Sequence, residues 1–250
     1  MGAQGGAPVI AEFWDYVSDA DNWWGESGLL FLTWNHLRLA FFATLVATLV
    51  ALPPAVSLGH RRKGGAVAVG LVNLSRAIPS FAVLVLVVPF SLRYGFGLGF
   101  WPTFVPLVLL ALPPIFANTY TGLAGVDRST VEAARAMGMR SREVLRSVEI
   151  PAGLPLMITG LRIAATQVVA TTTLGALVAY PCLGTPIVRS LQATRDNGEL
   201  LAGAGLVALL ALLTDLGFSL LERRLSPWRR STADPAPVAS IDESGLTPVT

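Results

Sequence analysis

The chain has 250 residues, of which 53% are hydrophobic and 14% are charged, and its formal net charge is +2. An average soluble domain carries about 25% charged residues, so this chain has too little polar surface to cover a soluble globule of its size. Its mean hydropathy of +0.60 also excludes disorder over most of the chain. A single cysteine, Cys182, excludes a disulfide framework. The composition indicates an integral membrane protein.

Five stretches are long and apolar enough to cross a membrane, because a span needs about 20 apolar residues. They are residues 39–59, 66–88, 103–121, 156–180 and 200–221. Arg76 and Pro79 interrupt the second stretch, which is therefore either one broken helix or two half-helices. The sequence predicts an all-α, polytopic transmembrane bundle of about five spans, or six if the second is split.

The positive charges favour one orientation, because cytoplasmic loops are enriched in lysine and arginine. Twelve of the 18 lie in the connections that follow the first, third and fifth spans: Arg61, Arg62, Lys63, Arg128, Arg135, Arg140, Arg142, Arg146, Arg223, Arg224, Arg229 and Arg230. The connections on the opposite side hold four: Arg38, Arg93, Arg189 and Arg195. The N-terminus is expected outside and the C-terminus in the cytoplasm.

The two ends of the chain differ in composition from the membrane domain, which we place at residues 37–225. Residues 1–36 contain five acids, four tryptophans and no lysine or arginine, so they do not form a secretory signal peptide. We expect an external acidic segment there, followed by an uncleaved first span. Residues 226–250 are rich in Ser, Pro, Ala and Asp and are expected to form a disordered cytoplasmic tail.

The connection at residues 122–155 is long and contains two predicted short helices. Residues 129–132, Ser-Thr-Val-Glu, form a capping box that would start the first helix, and Gly138 would end it in the left-handed conformation. Ser141 would cap a second helix that runs to Ile150 and is stopped by Pro151. A helix–glycine–helix with one apolar and one polar face is suited to dock into a groove on another protein.

The same connection resembles the EAA loop of ABC importer permeases, whose pattern is E-A-A-x3-G-x9-I-x-L-P. The matching residues are Glu132, Ala133, Ala134, Gly138, Val148, Ile150 and Pro151, of which Val148 and Ile150 are conservative replacements. The resemblance implies that this loop is a coupling helix, seated in a cleft of a separate cytoplasmic ATPase subunit.

The resemblance extends over about residues 37–225. Residues 77–80, 118–123 and 200–204 are similar to the osmoprotectant branch, whose substrates include glycine betaine, choline, carnitine and proline betaine. It implies a multi-pass permease subunit in the bacterial plasma (inner) membrane, which translocates a quaternary ammonium or betaine-type solute. The usual Gly-Gly-Leu-Gly element after the fourth span reads Pro181-Cys182-Leu183-Gly184 in this chain.

The sequence contains no P-loop motif for binding ATP. A P-loop requires G-x-x-x-x-G-K-[ST], and the only lysine, Lys63, lies in residues 60–64, His-Arg-Arg-Lys-Gly. We therefore expect a non-catalytic subunit without cofactor or metal, with ATP and Mg bound by the partner ATPase. The resemblance also implies an extracytoplasmic substrate-binding protein, a second permease chain, identical or homologous, and a lipid bilayer. No nucleic acid partner is expected.

Polar side chains within the spans are candidates for the translocation path. An ionisable group at membrane depth is costly unless it is paired or faces water, and polar residues in spans also form hydrogen bonds between helices. Both readings stay open for the candidates, which are Arg76, Asn118, Thr166, Gln167, Thr171 and Asp215.

Two alternative functions stay open. Within the importer class, the chain could instead serve methionine or another small polar solute. An ion- or proton-driven secondary transporter would need coupling-ion sites at the midplane, usually in repeated halves. The sequence shows no internal repeat, and Asp215 is the only acid within a predicted span.

The orientation can be tested by cysteine labelling. Single cysteines at Ser18 and Ser141, in a Cys182→Ser background, are expected to react with an impermeant thiol reagent from opposite sides of the membrane. Labelling of both positions from the same side would refute the predicted orientation.

Overall fold

The computed structural model describes residues 9–65, 70, 79–194 and 196–225. These residues are mostly helical and contain no β-strand, which confirms the predicted all-α class. The predicted tail at 226–250 and the candidate path residue Arg76 lie outside the described residues.

In chain order the helices are α1 (Val9–Ser18), α2 (Leu29–His60), α3 (Ser80–Arg93), α4 (Phe100–Ala124), α5 (Arg128–Ala136), α6 (Ser141–Val144), α7 (Ile150–Thr171), α8 (Gly184–Arg189) and α9 (Asn197–Leu225). Short 3-10 helices occupy Ala20–Trp23 and Thr172–Val178, and π-helical turns occupy Leu145–Glu149 and Ser190–Thr194.

Within the described part of the chain, four helical segments are long and apolar enough to cross a membrane: Leu29–His60, Phe100–Ala124, Ser141–Val178 and Asn197–Leu225. They contain most of the first, third, fourth and fifth predicted spans. The second predicted span, 66–88, falls largely outside the described residues, and the apolar helix α3 begins within it. Five spans therefore remain a prediction.

Helix α2 begins at Leu29, well before the predicted start at residue 39 and inside the predicted 1–36 segment. Its 32 residues give a length of about 48 Å, more than the roughly 30 Å of bilayer hydrocarbon. Polar residues hid this extension from a search for apolar runs. Two of them, Asn35 and His36, are buried against the rest of the bundle.

Helix α4 lies at the centre of the bundle, in contact with α2, α7 and α3. Helix α2 presents to the core a row of buried small residues at every fourth position: Ala43, Ala47, Ala51, Ala55 and Gly59. A Cβ atom on Gly59 would lie 2.9 Å from Leu123 Cβ. Because small residues let membrane helices approach closely, this row sets the short distance between α2 and α4.

Glycines bring α4 and α7 into backbone contact. A Cβ atom on Gly153 would lie 2.9 Å from the carbonyl carbon and oxygen of Gly122. A Cβ atom on Gly160 would lie 2.6 Å from Asn118 Cβ and 2.7 Å from the carbonyl oxygen of Pro114. Any side chain larger than hydrogen at these two α7 positions would push the helices apart.

The Pro181–Gly184 element forms a buried turn after α7. The chain reverses at Ala179, whose φ is +62°, and Cys182 is fully buried, with its thiol donating to the Thr172 carbonyl over 3.3 Å. A Cβ atom on Gly184 would lie 2.0 Å from the Thr173 carbonyl oxygen. The element that departs from the family pattern therefore keeps the glycine that its geometry requires.

Helix α1 packs against the first turn of α9. A Cβ atom on Gly198 would lie 2.3 Å from the carbonyl oxygen of Glu12, so the two backbones touch. The side-chain amide of Asn197 donates to the Glu12 carboxylate over 2.8 Å. The acidic N-terminal segment is thus a folded part of this end of the bundle.

Because α4 and α7 are in backbone contact, adding one methyl group at Gly153 is expected to destabilise the protein. Gly153→Ala is expected to lower the free energy of unfolding in detergent by about 1–3 kcal/mol, the usual cost of overpacking. Gly205→Ala is the matched control, because no heavy atom lies within 4 Å of its Cβ position, and alanine there favours the helix by about 1 kcal/mol. Equal stability of the two variants would contradict the packing.

Candidate coupling site

Residues 126–149 form a small folded unit at the end of the bundle where α2 and α4 finish. Its core consists of the buried residues Val126, Val131, Ala134 and Val144, with Met139 and Val148 packed against them. This core is separate from the main cluster of the bundle. We call this unit the coupling segment.

Helix α5 begins two residues before the predicted capping box. Asp127 is its N-cap, and its carboxylate accepts hydrogen bonds from the Ser129 backbone N–H over 3.0 Å and from the Ser129 hydroxyl over 2.8 Å. The hydrogen bond from the hydroxyl, followed by that from the backbone, lowers the pKa of Asp127 below its ordinary value. The predicted box from Ser129 to Glu132 is therefore wrong, because Ser129 already serves as a donor to Asp127.

The predicted left-handed end of α5 is confirmed. Gly138 has φ +88°, its N–H donates to the Arg135 carbonyl, and the Met139 N–H donates to the Ala134 carbonyl. These two hydrogen bonds form a Schellman motif, in which a residue with positive φ reverses the chain after a helix. No heavy atom lies within 4 Å of the Cβ position of Gly138, so this tip of the segment faces open space.

The prediction that Ser141 caps the second short helix is wrong, because Ser141 is the first residue of α6. The N-cap residue is Arg140, whose backbone N–H donates to the Glu143 carboxylate over 2.6 Å. The Ser141 hydroxyl instead lies 2.7 Å from Nε2 of His60, at the end of α2.

The helix does not stop at Pro151, so that prediction is wrong. The chain passes from α6 through the π-helical turn Leu145–Glu149 into α7, and Ser141–Val178 is one continuous helical segment. A proline ring within an α-helix clashes with the carbonyl four residues earlier, which is that of Ser147. The wider π turn, in which the Ile150 N–H donates to Leu145, accommodates Pro151 in the first turn of α7.

The EAA-pattern residues divide into two groups by exposure. Ala134 is buried in the core of the coupling segment, and Val148, Ile150 and Pro151 are half-buried along the path into α7. The exposed members lie on α5 and its tip: Glu132, Ala133 and Gly138, next to Met137, which is 78% exposed.

Two side chains, one from the last residue of α2 and one from just beyond it, hold the coupling segment. Nδ1 of His60 donates to the carboxylate of Glu149, which is 1% exposed, and the Arg62 guanidinium donates to the Val126 carbonyl. Sequence reasoning missed both contacts. The signal was present at Glu149, an acid between two apolar residues of a packed helix, because a buried carboxylate requires a partner.

The candidate path residues do not converge on one site. The Asn118 amide donates to the Pro114 carbonyl of its own helix, Gln167 is exposed and Thr171 is half-buried. The hydroxyl of Thr166 is buried without a hydrogen-bond partner among the described residues. Asp215 lies on α9, paired with Arg162 at an Oδ1–Nε distance of 3.2 Å.

Two buried polar residues near the start of α2 were not predicted. Nε2 of His36 donates to the Val169 carbonyl over 2.8 Å, and Nδ1 has no partner among the described residues. The Tyr180 hydroxyl donates to the Asn35 carbonyl over 3.1 Å. Asn35 and His36 precede the apolar run at 39–59, so no span was predicted to contain them.

The arrangement of helices is shared with a known transporter. A chain of the solved MetNI methionine ABC transporter superimposes on this one with a TM-score of 0.68, at 23% sequence identity, covering 79% of this chain and 95% of that one. The two chains therefore share one fold. Residues 38–227 match the family of binding-protein-dependent transport system inner membrane components, and the chain belongs to that family.

Curated relatives within this class are considerably more similar in sequence. The carnitine transport permease protein OpuCB of Listeria monocytogenes is 34% identical, over 80% of this chain and 88% of its own length. The osmoprotectant import permease protein OsmY of Salmonella typhimurium is 37% identical, over 80% of this chain and 83% of its own length. The predicted resemblance to osmoprotectant permeases is confirmed.

The corrected cap gives a test of the coupling segment. Asp127→Ala is expected to destabilise α5, because it removes the carboxylate that accepts from the Ser129 backbone N–H, whereas Glu132→Ala should leave this helix nearly unchanged. Hydrogen exchange of the α5 amides in the purified protein measures both effects. Faster exchange in Glu132→Ala than in Asp127→Ala would contradict Asp127 as the cap and support the predicted capping box.

Proposed function

We propose that the chain is the permease subunit of an ATP-driven importer, and that it translocates a quaternary ammonium or betaine-type osmoprotectant delivered by a separate binding protein. The observation that carries this proposal is the continuous helix from the coupling segment into α7. A docking surface that is rigidly joined to a membrane helix can convert movement of a partner into movement within the bundle.

The exposed residues of the coupling segment form the proposed ATPase contact. Glu132, Ala133 and Gly138 lie on α5 and its tip, and the buried Ala134 fixes α5 to the small core beneath them. Val148, Ile150 and Pro151 carry the segment into α7. ATP and Mg are assigned to the ATPase subunits, and no catalytic residue is assigned to this chain.

The proposed substrate class rests on the curated relatives. Proteins named for carnitine and osmoprotectant transport are 34% and 37% identical to this chain. The methionine transporter is only 23% identical, so its similarity concerns the fold and favours no methionine substrate. A secondary transporter gains no support either, because Asp215 pairs with Arg162.

The proposed assembly has the coupling segment in the cytoplasm of a bacterium and the N-terminus outside. The permease domain, 37–225, crosses the plasma membrane five times, after an external segment at 1–36 and before a cytoplasmic tail at 226–250. It pairs with a second permease chain, identical or homologous, with cytoplasmic ATPase subunits and with an extracytoplasmic binding protein.

The proposed translocation path runs along the polar side chains of α4 and α7. The hydroxyl of Thr166 supports this assignment best: it is buried and has no partner among the described residues, which is costly unless a ligand or water meets it. Asn118, Gln167 and Thr171 complete the set on these helices. Asp215, on α9, remains a candidate, and Arg76, which lies outside the described residues, remains a prediction from the sequence.

Uptake by the reconstituted complex tests this function. Proteoliposomes containing the permease, its ATPase and its binding protein are expected to accumulate radiolabelled glycine betaine or choline when ATP is supplied. Gly138→Leu should insert normally but abolish uptake, because it adds backbone strain at φ +88° and bulk at the docking tip.

Gly138→Asn is the matched control for the tip. Asparagine tolerates the left-handed conformation better than leucine does, so this variant should retain most of the uptake. Wild-type uptake by Gly138→Leu would overturn the coupling assignment. Uptake of methionine in place of both quaternary ammonium solutes would overturn the substrate class.

A further inference from the structure

We propose that His60 is a positioning residue that links α2 to the coupling segment, so that movement of this segment reaches α2 as well as α7. This inference rests on the proposed function, because it assumes that the coupling segment is moved by an ATPase. It concerns a contact outside the EAA pattern.

The contact joins three parts of the chain that are distant in sequence. His60 is the last residue of α2. Its Nδ1 donates to the Glu149 carboxylate at the end of the π turn, and its Nε2 lies 2.7 Å from the Ser141 hydroxyl at the start of α6. One imidazole ring therefore bridges both ends of the short helical stretch that precedes α7.

Burial makes the Glu149 contact the stronger of the two. Glu149 is 1% exposed and the His60 side chain is 18% exposed, whereas the Ser141 contact lies at the surface. Removing one partner of a buried charged contact strands the other without compensation, which is strongly unfavourable. The coupling segment is therefore held to His60 as long as Glu149 stays buried.

Arg62 adds a second contact from the same end of α2. Its guanidinium donates to the carbonyl of Val126, the residue before the N-cap of α5. Together, His60 and Arg62 hold the last residue of the π turn and the first part of the coupling segment. The end of α2 thus fixes the coupling segment on both sides.

The two membrane helices differ in how they are attached. Helix α7 continues from the coupling segment through its backbone, whereas α2 ends at His60, and its chain leads toward α3 instead. The His60 side chain gives movement of this segment a direct route to α2. Because α2 and α7 both pack against α4, the His60 contact would let one displacement act on two neighbours of the central helix.

The test compares His60→Ala with His60→Asn in the reconstituted complex. The asparagine amide can take the place of Nδ1 and donate to Glu149, whereas alanine cannot. His60→Ala is expected to bind the ATPase and hydrolyse ATP, but to transport roughly fivefold less solute per ATP. His60→Asn should restore most of the wild-type ratio, and Ser57→Ala, an exposed change one turn earlier in α2, should leave it unchanged.

A double variant separates the link from the buried charge. In His60→Ala with Glu149→Gln, no carboxylate is stranded, so this protein should fold even if His60→Ala does not. It still lacks the link, and we expect the same low ratio of solute to ATP. A wild-type ratio in this folded double variant, or a His60→Asn ratio as low as that of alanine, would overturn the proposal.

The outcome also separates this inference from the proposed function. If the wild-type complex shows no ATP-driven uptake, the proposed function fails. If the wild-type complex transports and His60→Ala keeps the same ratio of solute to ATP, only the role of His60 fails.

Discussion

Close backbone approach to α4 is the constraint on which the rest of this fold depends. Apolar side chains gain no hydrophobic free energy when they move from lipid into a helix interface, so membrane helices associate through tight packing. Here the small-residue row of α2 and the glycines of α7 provide that packing. Because α2 and α7 both pack closely against α4, a displacement of the coupling segment can be transmitted into the bundle over a short distance.

Much of the architecture could be predicted from hydrophobic runs and from one glycine. The apolar runs located four of the long helices, and Gly138 marked the reversal after α5. The helix starts could not be predicted, because Asp127, Ser129 and Ser141 are all competent caps and only the folded chain decides between them. Pro151 was ambiguous for a similar reason: proline ends a helix, but it is also well tolerated in a first turn.

The contacts that assemble the candidate site could not be predicted, because they depend on tertiary packing. His60 and Glu149 are separated by 89 residues, and no local pattern pairs them. Arg162 and Asp215 fall within the predicted spans 156–180 and 200–221, yet their pairing follows from the packing of α7 against α9. In both cases the useful signal was an ionisable side chain on an apolar surface, which calls for a partner without identifying it.

The docking of α1 onto α9 ties the N-terminal segment to the part of the chain that matches the family. Residues 38–227 match the family, and α1 precedes them, yet Gly198 lies within the matched range and its missing side chain is what admits the Glu12 backbone. The need for glycine at position 198, inside the matched range, thus comes from α1, which lies outside that range. Shortening the chain to its family core would uncover a groove at Gly198 and deprive Asn197 of its carboxylate partner.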